Sequence, residues 1–150
     1  MVHWLCMNIS KQYIAGFIDG EGYLGIIKKS SKICSIGYYY TPCLKISQIT
    51  RNDNVLKAIK EFIGHGNLEL RKTMRVNTSD SSSLEFRGMK RVTPIIEKLY
   101  PYLIVKKRQS KILMEFAKLP SGSHNKSDAK RTELYEQIRL LNKKGLAETE

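Results

Sequence analysis

The sequence of 150 residues predicts an α+β fold, in which a four-stranded antiparallel sheet carries helices on one face. The first observation is a change of apolar period, from helical spacing in residues 13–18 to alternation after Tyr23. The second is that a helix followed by a hairpin occurs twice before the last helices. The third is the length, which suits one hydrophobic core. We therefore expect one domain over residues 1–150, in the order αββαββα, with a helical extension over about residues 120–150.

The first half of the chain is predicted to form a helix and a hairpin. Ser10 is suited to cap the helix, and Gly20 and Gly22 are expected to end it, because glycine is common at the end of a helix. The alternation that follows predicts one strand from Tyr23 and another over about residues 35–48. One face of this hairpin is apolar and the other is polar and basic, as in a sheet that is covered on one side.

The second half repeats this pattern and adds helices. Asn52 or Asp53 is expected to cap a second helix, which ends at Gly64. A second hairpin follows, and Pro94 is then expected to open a short helix. The last two helices are predicted over about residues 106–119 and 128–144.

The charge of the chain favours a polyanionic partner. Lysine and arginine number 26 against 14 acidic residues, which gives a formal net charge of +12. Such an excess favours nucleic acid without specifying a fold. No acidic residue lies between Gly22 and Asn52, and basic residues are mixed there with tyrosines. This mixture suits a strand surface that is laid on phosphates.

The composition excludes several other classes of protein. Hydrophobic residues make up 41% of the chain, which is too many for a disordered protein. The three cysteines include no CxxC pair, so neither a disulfide framework nor a zinc site is expected. No apolar run is long enough to cross a membrane, and the first residues lack the features of a signal peptide. We expect an intracellular protein, in the cytoplasm of a prokaryote or in an organelle, without a membrane partner or a small-molecule cofactor.

Residues 14–22, with the sequence IAGFIDGEG, combine small residues and carboxylates at the end of the first helix. Gly16 and Gly20 lie four residues apart and therefore share one helical face. Glycine destabilises a helix by about 1 kcal/mol relative to alanine, which favours a use for the missing side chains in close helix packing. The alternative is a helix that simply ends at glycine. We place four residues in an interface between paired helices: Ala15, Gly16, Asp19 and Gly20.

Glu21 is the candidate metal ligand. It lies at the end of the helix, where the partial negative charge of the C-terminus repels a carboxylate. If two such helices pair, two Glu21 carboxylates approach each other and favour cations that neutralise them. Mg²⁺ suits this position, because it binds one or two carboxylates and bridges phosphate oxygens. Asp19 is the alternative ligand, although we expect a structural role for it.

Residues 14–22 resemble the LAGLIDADG motif of homing endonucleases. The chain has Ile14, Phe17, Gly20 and Glu21 where the motif has Leu, Leu, Ala and Asp, so an acid before the final glycine is kept. The resemblance extends to the order of helices and hairpins over about residues 8–119. The chain is similar in organisation to the small single-motif members, such as those encoded by archaeal ribosomal RNA introns. Members of that type act as homodimers through their motif helices.

The resemblance also implies an active site. It implies that Glu21 and its symmetry mate hold Mg²⁺, helped by the carbonyl of Gly20. Residues 101–109 resemble the segment that supplies the active-site lysine of the family, which places Lys106 at that position. Lys106 would stabilise charge in the transition state or help to activate water.

A further part of this implied site lies at the end of the second strand. Residues 48–52 resemble the segment where the family has a glutamine and a basic residue near the scissile phosphate. Gln48 would position water or the hydration shell of the metal. Arg51 would contact the scissile phosphate. Asn52 is the competing choice, because this segment can be aligned with the family in two ways that differ by one residue.

Base recognition is expected from the face of the sheet that the helices leave open. Arginine can bond guanine in the major groove, and glutamate can accept from cytosine. The candidates are Lys29, Lys45, Ser47, Glu69, Arg71, Thr73, Arg75, Glu85 and Arg87.

Together these features predict a site-specific homing endonuclease that makes a double-strand break at a long, near-palindromic site by Mg²⁺-dependent hydrolysis. The implied partners are double-stranded DNA, a divalent cation and a second copy of the chain. Two alternatives stay open, namely an RNA-binding splicing maturase of the same fold and a non-catalytic DNA-binding regulator. The joint presence of Glu21, Gln48 and Lys106 favours cleavage over both.

Overall fold

The computed structural model describes residues 8–120 and 125–143, and these form five helices and four strands. The helices are α1 (Lys11–Glu21), α2 (Asn54–Ile63), α3 (Met89–Leu99), α4 (Lys107–Ala117) and α5 (Asn125–Leu141). The strands are β1 (Gly22–Ser30), β2 (Tyr38–Ile49), β3 (Asn67–Arg71) and β4 (Ser81–Arg87). The order of helices and hairpins expected from the sequence is confirmed.

The four strands form one antiparallel sheet in the order β1-β2-β4-β3. The register pairs Leu44 of β2 with Leu24 on one side and with Phe86 on the other, and it pairs Leu68 with Leu84. Because side chains alternate along a strand, even-numbered residues of all four strands point to one face and odd-numbered residues to the other. We call the odd-numbered face the open face.

The helices cover the even-numbered face and bury it. Leu24, Ile46 and Phe86 of the sheet are buried in the same core as Ile14 and Ile18 of α1. Full burial of such side chains stabilises the fold by about 1.5–3 kcal/mol each. The period-two pattern of the strands is thus explained by a sheet that packs on one side only.

The ends of α1 follow from its sequence. The hydroxyl of Ser10 accepts the N–H of Tyr13 at 3.1 Å, as expected for an N-cap. The helix runs through Gly20, contrary to expectation, and ends only at Gly22, whose N–H bonds to the carbonyl of Ile18. A Cβ on residue 22 would lie 2.6 Å from that carbonyl oxygen, so the close turn into β1 requires glycine.

Two boundaries differ from the prediction. Strand β2 begins at Tyr38 rather than near residue 35, because Gly37 has a φ of 80° and closes a turn onto Cys34. Pro94 does not open α3, which begins at Met89 and contains the proline in its interior. The proline removes one hydrogen bond, but burial of the apolar face of α3 outweighs this loss.

Helix α5 lies against the edge of the sheet. It begins at Asn125 rather than at residue 128, and the predicted end at residue 144 lies outside the described residues. Leu134 and Ile138 of α5 join the core, and Asn142 donates from Nδ2 to the carbonyl of Leu24 at 2.7 Å. Because β1 is an edge strand, this bond satisfies a carbonyl that has no neighbouring strand. None of the helices in the described ranges is long and apolar enough to cross a membrane.

Candidate active site

The C-terminal end of α1 carries the acidic group of the candidate site. Glu21 is the last residue of α1 and is exposed. Strand β1 starts at the next residue, and Gly22 pairs with Ile46 of β2. Gln48 lies two residues further along β2 and on the same face as Ile46, so β2 runs past the start of β1 and brings Gln48 to the end of α1.

Asp19 fastens the segment before α4 to the last turn of α1. Its Oδ2 accepts the N–H of Ile104 at 2.8 Å, and its Oδ1 accepts the N–H of Lys106 at 2.9 Å. The Lys106 Nζ donates to the backbone carbonyl of Asp19 at 3.4 Å. We call these three bonds the Asp19 clasp. The clasp places the ammonium of Lys106 at the helix end that carries Glu21.

The segment that bears Lys106 is also held from its other side. Leu103 is buried in the core, which anchors the chain before the clasp. The carbonyl of Lys106 accepts both the N–H and the hydroxyl of Ser110 at 3.0 Å, which fixes the start of α4. The backbone of Lys106 is therefore fixed between the core and the helix, and the clasp decides where its side chain lies.

We expect an Asp19→Asn substitution to loosen this segment. An amide has one oxygen acceptor where the carboxylate has two, so one of the two backbone N–H groups loses its bond. The free energy of unfolding should fall by about 1–3 kcal/mol. Displacement of Lys106 should slow, by up to about a hundredfold, the DNA cleavage that the family resemblance implies. Chemical denaturation and single-turnover cleavage with protein in excess would measure the two effects.

Asp80→Asn is the matched control for that variant. The carboxylate of Asp80 also accepts a backbone N–H, from Thr73 at 2.9 Å, but it does so in the β3–β4 connection. The amide of this control keeps the one oxygen that the bond needs, so it should remove a carboxylate charge with little loss of stability or of cleavage rate. If Asp19→Asn loses stability and still cuts at the wild-type rate, the clasp serves folding alone.

The other two predicted active-site residues lie at the end of β2. Gln48 is half-buried, and its Oε1 accepts the N–H of Ile49 at 2.8 Å, which leaves the amide NH₂ to face other groups. Arg51 and Asn52 are both exposed in the 3₁₀ turn Thr50–Asn52 that follows the strand. Arg51 and Asn52 are thus equally suited to contact a phosphate beside Gln48, and the choice between them stays open.

The predicted interface residues of α1 divide into two groups. Gly16 and Gly20 are exposed on the side opposite the core, and a Cβ at either position would meet nothing within 4 Å. Ala15 is fully buried in its own chain, so its assignment to a surface between helices is wrong. Asp19 faces the segment before α4, through the clasp, rather than the glycine face. The error has a simple cause, because neighbouring positions on a helix point about 100° apart and only one of them faces outward.

Most of the predicted DNA-contacting residues lie on the open face. The register puts seven of them there, namely Lys29, Lys45, Ser47, Glu69, Arg71, Glu85 and Arg87. Thr73 and Arg75 lie beyond the end of β3, in the connection to β4, where the strand alternation no longer defines a face. The Thr73 hydroxyl accepts the N–H of Arg75 at 3.2 Å, which gives this connection its own local order.

Two features of the surface were not among the site residues predicted from the sequence. The ring of Tyr23 lies over Gly25 on the open face, where a Cβ would be 2.3 Å from the Tyr23 hydroxyl. Burial raises the pKa of Tyr23, which keeps it a hydroxyl donor. Ile104 and Val105 are 83% and 68% exposed beside the end of α1. The alternation along β1 could have predicted that Tyr23, at an odd-numbered position, lies on the open face. The exposure of Ile104 and Val105 could not be predicted in this way, because a segment of irregular structure has no period.

The comparisons with known proteins concern the family and the fold. A family model described as LAGLIDADG endonuclease matches residues 14–119. The homing endonuclease I-CvuI, solved in complex with its target in the presence of Ca, has a TM-score of 0.73 and 25% identity, with 92% of this chain and 87% of that chain covered. The archaeal intron-encoded homing endonuclease I-Vdi141I, complexed with DNA, has a TM-score of 0.73 and 25% identity, with 93% and 88% covered.

No curated protein sequence is significantly similar to the chain. The family model nevertheless spans more than half of it and includes most of α1, the whole sheet, the Asp19 clasp and α4. The chain therefore belongs to the LAGLIDADG endonuclease family.

Proposed function

We propose that the chain acts as a homodimer that makes a double-strand break in DNA at a long, near-palindromic site, by Mg²⁺-dependent hydrolysis of phosphodiester bonds. The observation that carries this proposal is the Asp19 clasp, which brings the ammonium of Lys106 to the helix end that carries Glu21. Of the two solved structures at 25% identity, one is a complex with its target and the other a complex with DNA, which supports DNA as the substrate.

The donor groups at the end of α1 fit a magnesium ion. Among residues 8–120 and 125–143, no three His, Cys, Asp or Glu side chains cluster as a metal site, so a single chain brings only part of a ligand set. Both carboxylate oxygens of Asp19 already accept backbone N–H groups, which favours Glu21 as the ligand. The carbonyl of Gly20 belongs to the last turn of α1, where carbonyls lack a partner within the helix. Water, phosphate oxygens and the symmetry-related Glu21 would complete an all-oxygen set of the kind Mg²⁺ prefers.

Each remaining residue has a role in the proposed hydrolysis. When bound, the ion polarises the phosphate and acidifies a water molecule. Lys106 stabilises the negative charge that develops on the phosphate oxygens, because its ammonium is held in place before the reaction. The amide of Gln48 orients the attacking water. Arg51, or Asn52 beside it, binds the scissile phosphate from the turn that follows β2.

A dimer through α1 supports the near-palindromic site. Gly16 and Gly20 leave open space on the exposed side of α1, and Tyr13 of the same helix is half exposed. Ile104 and Val105 add apolar surface next to it. Two helices that pack through the glycines relate the two chains by a two-fold axis, so the two open faces lie on two half-sites of matching sequence.

The proposal is tested by selecting a target from DNA. The full chain is incubated with Mg²⁺ and a library of duplexes that carry randomised, near-palindromic sequences, and the cut ends are sequenced. We expect double-strand cuts in one narrow family of sequences, and no cut when EDTA removes the metal. Binding to one sequence family without cleavage would overturn the proposal in favour of a regulator, and tight binding of structured RNA alone would favour a maturase.

A further inference from the structure

An acidic residue lies on an inner strand of the open face, next to basic residues. Glu85 is on β4, one of the two inner strands, opposite Lys45 of β2. Its side chain is 11% exposed, whereas the side chain of Arg87 on the same face of β4 is 47% exposed. The carboxylate is therefore recessed in the sheet surface, and the guanidinium stands closer to whatever the sheet binds.

One oxygen of this carboxylate already accepts two hydrogen bonds. Glu85 Oε1 accepts the Nε–H of Arg87 at 2.5 Å and the thiol of Cys43 at 3.5 Å. Cys43 lies opposite Arg87 in the register, so the three side chains form one cluster across β2 and β4. We call this cluster the Glu85 triad.

The charges of the triad keep these bonds in place. Burial raises the pKa of Glu85, but the hydrogen bonds from Arg87 and Cys43 and the charges of Arg87 and Lys45 outweigh it, so the pKa is lowered. Burial, and then the charge of Glu85, raise the pKa of Cys43 to about 12, so its thiol stays protonated and continues to donate. At neutral pH, Glu85 is an ionised acceptor with two donors on one oxygen.

This arrangement restricts how Arg87 can contact a base. A guanidinium has five N–H donors in a planar fork, one on Nε and four on the two terminal nitrogens. The Nε–H is taken by Glu85, which leaves the terminal nitrogens to face outward. A pair of donors of this kind matches the O6 and N7 acceptors that guanine presents in the major groove.

We propose that Glu85 is a positioning residue, which holds Arg87 by its Nε so that both terminal nitrogens of Arg87 read one guanine in each half-site. The inference rests on the proposed function, because it needs the open face to lie in the major groove. It replaces the expectation that Glu85 itself accepts from cytosine. A recessed carboxylate, one oxygen of which already has two donors, is poorly placed to reach a base edge.

The test compares the base preferences of three variants at the sequence that wild type selects from the randomised duplexes. Arg87→Ala should lose the preference for guanine at one symmetric pair of positions, by about 5- to 150-fold. Glu85→Ala should relax the same pair of positions and no other. In the double variant Glu85→Ala/Arg87→Ala, the loss of Glu85 should add nothing to the effect of Arg87→Ala, because a positioning residue acts only through its partner.

Two further variants serve as controls. Glu85→Gln keeps an oxygen that can accept the Nε–H, so it should retain more of the guanine preference than Glu85→Ala. Glu61→Ala removes a negative charge from the exposed side of α2, a helix on the face of the sheet away from the open face. It should leave the preference at the Arg87 positions unchanged. Thermal unfolding of each variant confirms that the compared chains are folded.

Two outcomes would overturn the inference. In the first, Glu85→Ala and Arg87→Ala relax different base pairs, which would make Glu85 an independent reader. In the second, Glu85→Ala leaves the preference at the Arg87 positions intact. Both outcomes presuppose that wild type cuts a defined site, so failure of the proposed function is recognised separately by the absence of that cleavage.

Discussion

A Glu21→Gln variant is expected to bind its DNA site and leave it uncut. Glutamine has the shape of glutamate without its charge, so it is a poor ligand for a hard divalent cation. A bound metal supplies several kcal/mol of charge stabilisation in the transition state, and its loss should lower the cleavage rate by at least about a thousandfold. Binding should survive, because the substitution should leave the fold intact. Glu21 is exposed, and no hydrogen bond or ion pair is described for its carboxylate within the ranges 8–120 and 125–143.

Two measurements on the same protein separate these effects. Gel electrophoresis of the selected duplex in Mg²⁺ reports cleavage, and fluorescence anisotropy of the labelled duplex reports binding. Glu61→Gln is the matched control, because Glu61 is exposed on α2, a helix on the face of the sheet away from the open face. A Glu21→Gln variant that cuts at the wild-type rate would remove Glu21 from the metal site.

A Gly16→Leu variant is expected to convert the dimer into a folded monomer that no longer makes double-strand breaks. The glycine face of α1 has open space in the single chain, so leucine meets no clash there. Leucine also has a higher helix propensity than glycine, by roughly 1 kcal/mol, so the chain should unfold at the same or a higher temperature. Between two chains, however, the added side chain separates backbones that must approach closely.

Sedimentation velocity without DNA, at micromolar concentrations, measures this effect directly. Gly16→Ala provides a graded control, because one methyl group should weaken association less than an isobutyl group. Thermal unfolding followed by circular dichroism verifies that both variants are folded. If Gly16→Leu sediments as a dimer with the same affinity as wild type, the chains pair through some other surface.

Much of the fold was predictable, because each element buries one face. Leu24 and Leu44 show the period of two in the sequence, and the stop at Gly64 matches the left-handed residue that ends α2. Pro94 was misread, since a local rule on proline was outweighed by burial of Val92 and Ile96 on the same helix. Burial depends on contacts between distant segments, which a local pattern does not contain.

The sequence indicated which residues belong to the candidate site, but it did not indicate which contacts they make. Glu21 and Lys106 were predicted from short motifs, but the link between them depends on Asp19 and on residues more than 80 positions away. The bond between Glu85 and Arg87 joins two residues that alternation alone predicts to point outward separately. Side-chain pairing across a face depends on rotamers and on neighbouring strands, and the sequence gives only which residues share that face.

The bond from Asn142 to Leu24 has a consequence for how copies of the protein can assemble. An unprotected outer strand is a template on which further chains can polymerise through their backbones. With α5 lying along β1, two molecules cannot fuse their sheets there into one continuous ribbon. At the β1 edge, association is thereby directed away from strand-to-strand growth.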